Sequence, residues 1–107
     1  MLFRSIFVEE LIPALDGFDM AMRGDAWQTV DSVWRAGVES IKGQIERVLQ
    51  THGVEMYGKV GDIVDPNLFE AIQEEEGGES HTVAKVFRRG YRTKDRILRP
   101  AQVAVYK

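Results

Sequence analysis

Apolar residues recur at steps of mostly three and four between Asp25 and Gly53. They are Val30, Val33, Trp34, Val38, Ile41, Ile45, Val48 and Leu49, with Asp31, Ser32, Arg35, Glu39, Lys42, Glu46 and Arg47 between them. That period is a helix stripe, not a strand alternation. Asp25 with Gln28 three residues later resembles a capping box, and Gly53 suits the left-handed position that closes a helix. His52 falls in the last turn, where a cation complements the helix dipole. A single helix over this stretch would run about 40 Å at 1.5 Å per residue. Burying its eight apolar side chains favours folding by very roughly 10–25 kcal/mol before entropy. One preceding helix does not cover such a stripe, so the pattern predicts a bundle completed by a second copy of the chain.

A helical pattern also runs from Met1 to Arg23, through Leu2, Phe3, Ile6, Phe7, Leu11, Ile12, Leu15, Phe18 and Met22. Pro13 interrupts it by removing a donor and crowding the carbonyl of Glu9. Ile12 is a poor cap for a fresh start, so one continuous, kinked helix is expected. The stripe is strong already at Leu2, and the natural chain is expected to begin earlier. Gly24 breaks this helix, and the short link to Asp25 makes the two helices antiparallel neighbours. Trp27 and Trp34, seven apart, are read as bundle core on one face.

After Gly53 the period changes. Val54–Tyr57 reads as a short strand, Asp65-Pro66-Asn67 as a turn, and Leu68–Ile72 as a strand or a turn of helix. Glu74 to Ser80 reads as a solvated, mobile acidic loop. Thr82–Arg89 is a strand, Gly90-Tyr91 a bend, Thr93-Lys94-Asp95 a hairpin turn, and Arg96–Tyr106 a single last strand. Pro100 cannot donate to a ladder and belongs at an edge or bulge. Helices first and strands afterwards predict an α+β chain: a helical dimerisation region over residues 1–53 and a small antiparallel β domain over 54–107.

Charge sharpens the division. The net charge is −3, yet residues 1–80 hold 6 Lys+Arg against 16 Asp+Glu, while residues 81–107 hold 8 against one acid, Asp95. A segment this basic implies an acidic partner, either a protein surface or nucleic acid. The chain has no cysteine, hence neither disulfide nor thiolate metal site, and a reduced cytoplasmic setting is expected. No run is long enough to span a membrane.

Candidate chemistry is sparse. His52 and His81 have no histidine or cysteine at ligand spacing, and no serine stands in the surroundings of an activated nucleophile. Gly77-Gly78 is not followed by the Lys-Ser or Lys-Thr of a phosphate-cradling loop. No enzyme, cofactor or metal is therefore expected. The residues that stand out are Phe87 flanked by Arg88 and Arg89, and the group Arg96, Arg99 and Pro100. A large apolar side chain ringed by arginine is the usual make-up of a protein-binding anchor. The aromatics Phe87, Tyr91 and Tyr106 follow no base-stacking platform. A dimeric scaffold whose basic β module binds nucleic acid is the alternative.

The segment from Gly90 to Lys107, GYRTKDRILRPAQVAVYK, closely resembles the C-terminal signature of the GrpE family, nucleotide exchange factors of DnaK chaperones. Thr82-Val83 matches the same signature. Asp65 to Ile72 is also similar, with Phe69 where the family usually has His. Leu11 to Phe18 resembles the family's Pro-containing helix segment, and Gly37-Val38-Glu39 and Gly53-Val54-Glu55 its bundle helix and exit. The resemblance covers essentially the whole chain; the family's N-terminal tail and most of a long paired helix have no counterpart. It implies a homodimer with a four-helix bundle and a β wing on each side, one of which docks on the ATPase domain of the chaperone. It places Val30, Val33, Trp34, Gly37, Val38, Ile41, Ile45 and Val48 at the dimer interface. Phe87, Arg96 and Val105 match chaperone-facing positions, with Arg88, Arg89, Arg99 and Pro100 as further candidates. It implies neither membrane nor nucleic acid as partner.

Overall fold

The computed structural model describes residues 2–107, with side chains from Phe7 onward. It has two compact units, Met1–His52 and Gly53–Lys107. The first is helical and the second is built of strands, an α+β chain.

Helix α1 spans Leu2–Arg23 without a break and carries Pro13 inside it. Val8, Ile12 and Leu15 are its buried side chains, whereas Phe7, Leu11 and Met20 are exposed. The side chains of Leu2, Phe3 and Ile6 lie outside the described residues.

The second helical stretch begins later than its periodicity predicts. Asp25–Thr29 forms a 3-10 turn, closed by Trp27 N–H on the Gly24 carbonyl at 3.0 Å. Val30 and Asp31 are extended, with ψ of 140° and 136°. Asp31 then caps α2, Ser32–Thr51, its Oδ1 accepting the Val33 N–H at 2.8 Å. Asp25 is thus not the cap, Val30 lies just outside the helix, and Trp27 does not share a helix face with Trp34. The stripe continued through the break because a 3-10 turn and an α-turn place side chains at similar spacing. At its far end the prediction holds: Gly53 has φ +84°, and His52 donates its main-chain N–H to Val48 and Leu49. The His52 ring nitrogen Nδ1 also lies 2.9 Å from the Val48 carbonyl oxygen. Helices α1 and α2 are tied by Lys42 Nζ on Asp19 Oδ1 at 2.7 Å.

The β unit holds two three-stranded sheets. One has the order β1-β4-β5, with β1 Glu55–Tyr57, β4 Gly90–Arg92 and β5 Ile97–Arg99, all antiparallel. The other has the order β2-β6-β3, with β2 Phe69–Glu75, β6 Ala101–Tyr106 and β3 Val83–Arg88. Strand β6 is central because it carries the apolar content: Ala101, Val103 and Ala104 are fully buried. It pairs antiparallel to β3 but parallel to β2, so one pairing departs from the expected antiparallel module. The polar strand β2, with Glu70, Gln73 and Glu74 exposed, takes the edge.

Three other segments are corrected. Glu74 and Glu75 belong to β2, opposite Val105 and Tyr106, and Glu75 accepts from Lys85 Nζ at 3.5 Å; the acidic loop begins after them. Strong backbone pairing with a β-rich neighbour outweighs the poor strand propensity of adjacent glutamates. The expected strand 96–106 is two strands in two sheets, parted at Pro100. The expected bend at Gly90-Tyr91 is strand β4, paired with β1. The hairpin turn after it is present, with Thr93 N–H on the Arg96 carbonyl at 2.8 Å.

The core of this unit gathers Phe69, Val83, Ala101 and Val103, with Tyr57, Val64, Leu68 and Val86 packed against it. The Tyr57 ring meets Phe69 edge-on, centroids 5.7 Å apart at 82°. Glycine is required at two close approaches. A Cβ on Gly58 would stand 2.9 Å from the Ala101 Cβ, and one on Gly90 would fall inside the Tyr57 ring.

Candidate functional site

The basic, aromatic residues singled out in the sequence fall on both sheets of the β unit. Phe87 and Arg88 end β3, and Val105 lies near the end of the neighbouring strand β6, directly opposite Val83. Phe87 and Val105 are half-buried and Arg88 is exposed. Arg96 lies in the β4–β5 hairpin of the other sheet and is exposed; its own N–H donates to Thr93 Oγ1 at 3.2 Å. A threonine hydroxyl that both accepts from the turn and donates to it pins the tip, and so the base of the Arg96 side chain.

Arg89 and Arg99 are arranged differently, both half-buried over Tyr91. Each guanidinium carbon stands 5.3 Å from the Tyr91 ring centroid. Arg89 donates Nε–H to the Tyr91 hydroxyl at 2.9 Å, and Arg99 donates Nη2–H to the main-chain carbonyl of Arg89 at 2.7 Å. Tyr91 itself is fully buried. Pattern reading missed it, because a tyrosine after a glycine looks like a bend and the three-residue strand Gly90–Arg92 is too short to show an alternation. Pro100, half-buried, is the one residue between β5 and β6.

A second surface lies on α2. Trp34, Ile41 and Val48, spaced by seven, are exposed by 71 %, 53 % and 57 %. Val33 and Val30 are exposed beside them, Val38 and Ile45 are half-buried, and nothing stands within 4 Å of a Cβ built on Gly37. A row of large apolar residues repeating every seven positions is the make-up of a helix–helix seam. Among the described residues, no three His, Asp or Glu side chains converge as a metal site would require. No described helix is long and apolar enough to cross a membrane.

A family model described as GrpE matches residues 4–107. The chain belongs to the GrpE family. A Protein GrpE of Bacillus licheniformis is 36 % identical over 100 residues, covering 92 % of this chain and 52 % of the relative. That of Oceanobacillus iheyensis is 35 % identical over 102 residues, covering 94 % and 53 %, and that of Bacillus anthracis 37 % over 100 residues, covering 92 % and 53 %. The chain thus spans about half the length of the curated relatives it matches. For a GrpE-family chain, the match takes in both the α2 stripe and the strands that carry Phe87, Arg96 and Val105.

Proposed function

We propose that this chain is a co-chaperone, a nucleotide exchange factor that binds the ATPase domain of a DnaK-type chaperone and speeds the release of ADP. Membership of the GrpE family across residues 4–107 carries the reading. The β unit supplies the docking face: Phe87, Arg88, Arg96 and Val105 contact the chaperone, and the basic balance of residues 81–107 steers approach to an acidic surface. No bond is made or broken on the chain, in keeping with an adaptor that is not an enzyme.

The physical requirement is differential affinity. The factor must hold the open, nucleotide-poor form of the ATPase domain more tightly than the closed form, and population then shifts toward open. Linkage demands the reverse as well, so nucleotide weakens the factor's grip and incoming ATP releases it. The α2 stripe serves homodimerisation, with Trp34, Ile41 and Val48 at its centre and Val30, Val33, Gly37, Val38 and Ile45 around them. A cysteine-free chain suits a reducing cytoplasm.

The test is the release rate of a fluorescent ADP analogue from a DnaK-type chaperone, with and without this chain. The reading expects a large acceleration that excess ATP competes away. Absence of both acceleration and direct binding would overturn it; tight, steeply salt-dependent binding to duplex nucleic acid instead would install the scaffold alternative.

A further inference from the structure

Each of the two covalent passages between the sheets that follow β3 is a single residue: Arg89 between β3 and β4, and Pro100 between β5 and β6. Both passages meet at Tyr91. This residue stands on β4 opposite Arg99 of β5, is fully buried, and carries two guanidinium groups at 5.3 Å from its ring centroid. Two like charges over one ring repel, so the arrangement needs fixed partners. Arg89 has the Tyr91 hydroxyl, and Arg99 has the Arg89 carbonyl, a main-chain group of the first passage reached from the residue that precedes the second.

We infer that Arg99 is a positioning residue that clamps the two sheet passages to each other through Tyr91 and the Arg89 carbonyl, and so sets the Arg96 hairpin relative to Phe87 and Val105. The inference rests on the docking reading above for its functional half, and on the geometry alone for its structural half. The ring contact and the main-chain hydrogen bond both need a planar, forked cation. Lysine keeps the charge but offers a compact ammonium that does not stack and donate in the same pose.

Arg99→Lys therefore separates clamp from charge. In the free full chain, hydrogen exchange of the β4 and β5 amides is expected to accelerate about tenfold, while β2, β3 and β6 stay within about twofold, as for local opening of one unit. Affinity for the chaperone ATPase domain is expected to fall about tenfold with an unchanged salt slope, since no charge is removed. Unaltered β4 and β5 exchange overturns the clamp. Lysine binding as tightly as arginine, with Arg99→Met weak, overturns it in favour of direct charge contact. If Arg99→Lys unfolds the β unit, the parent chain reads the same clamp by nuclear magnetic resonance of the Arg99 guanidinium: Nη protons protected from solvent exchange support it, and protons that exchange as fast as those of an exposed arginine refute it. A parent chain that fails to bind the chaperone sinks the docking reading, while the exchange pattern of the free chain still decides the clamp.

Discussion

The Tyr57 hydroxyl donates to the main-chain carbonyl of Leu68 at 2.6 Å, joining β1 of one sheet to the residue before β2 of the other. The same carbonyl also accepts the Ala101 N–H at 3.1 Å, so it keeps one partner if the hydroxyl is lost. Tyr57→Phe is expected to destabilise the β unit by about 1 kcal/mol, the ordinary net worth of such a bond, without changing its fold. Urea unfolding followed by far-ultraviolet circular dichroism measures it.

The same phenol makes stability depend on alkaline pH. Burial raises the Tyr57 pKa above its ordinary 10.0, against the lowering effects of the Ala101 N–H and the Arg92 and Arg99 guanidiniums. A group whose folded pKa is raised stabilises the native state fully below its unfolded pKa, and this contribution is lost as pH rises through the folded value. Above pH 10.0 the parent is expected to lose stability faster than Tyr57→Phe. Parallel unfolding curves for the two proteins through this range would remove the linkage.

Gly90 pairs with Tyr57 across β1 and β4, under the tyrosine ring. The ring is held by the Leu68 carbonyl, by Phe69, and by Arg92, whose guanidinium carbon lies 5.2 Å from its centroid, so it has no cheap way to retreat. Gly90→Ala is expected to cost about 1–3 kcal/mol or more, the range for overpacking. A thermal melt of the variant unchanged from the parent would contradict this packing.

Asp19 and Lys42 join α1 to α2 with side chains about one-fifth exposed. Partial burial and a second contact from Lys42 to Glu46 at 3.8 Å lift the pair above a fully exposed one. Asp19→Asn is expected to cost about 1 kcal/mol, less at high salt. Unfolding midpoints at low and high salt check both parts.

The docking and dimer proposals each have a direct test. Ile41→Asp places a charge in the middle of the exposed α2 row and is expected to give a monomer by light scattering where the parent gives a dimer. A surviving dimer would move the interface to another face. Arg96→Ala removes an exposed side chain from a turn held by Thr93, so fold and dimer are expected to persist while chaperone affinity drops by about tenfold, roughly 1.4 kcal/mol. Unchanged affinity would take Arg96 off the docking face.

Much of this was legible in residue order. The helical stripes, the Gly53 stop, the Asp65-Pro66-Asn67 turn and the hairpin at Thr93 rest on local chemistry: periodicity, the φ freedom of glycine, and side chains that bond their own backbone. Asp65 does so here, accepting the Asn67 N–H at 2.9 Å. The misplaced helix start shows the limit of the same logic. Asp25 and Asp31 are both acceptable caps, and the backbone of Val30 decided between them.

The sequence by itself determined the two helical stripes, the strand character of most of the second half, where the charge lies, and to which family the chain is similar. Only the tertiary structure decided strand partners: that β6 sits between β2 and β3, that residues 96–106 divide between two sheets, and that Arg89 and Arg99 turn onto Tyr91. Local propensity acts over a few residues and is written in order along the chain. Sheet pairing is settled by burial between segments far apart, where the most apolar strand takes the centre and the rest arrange around it.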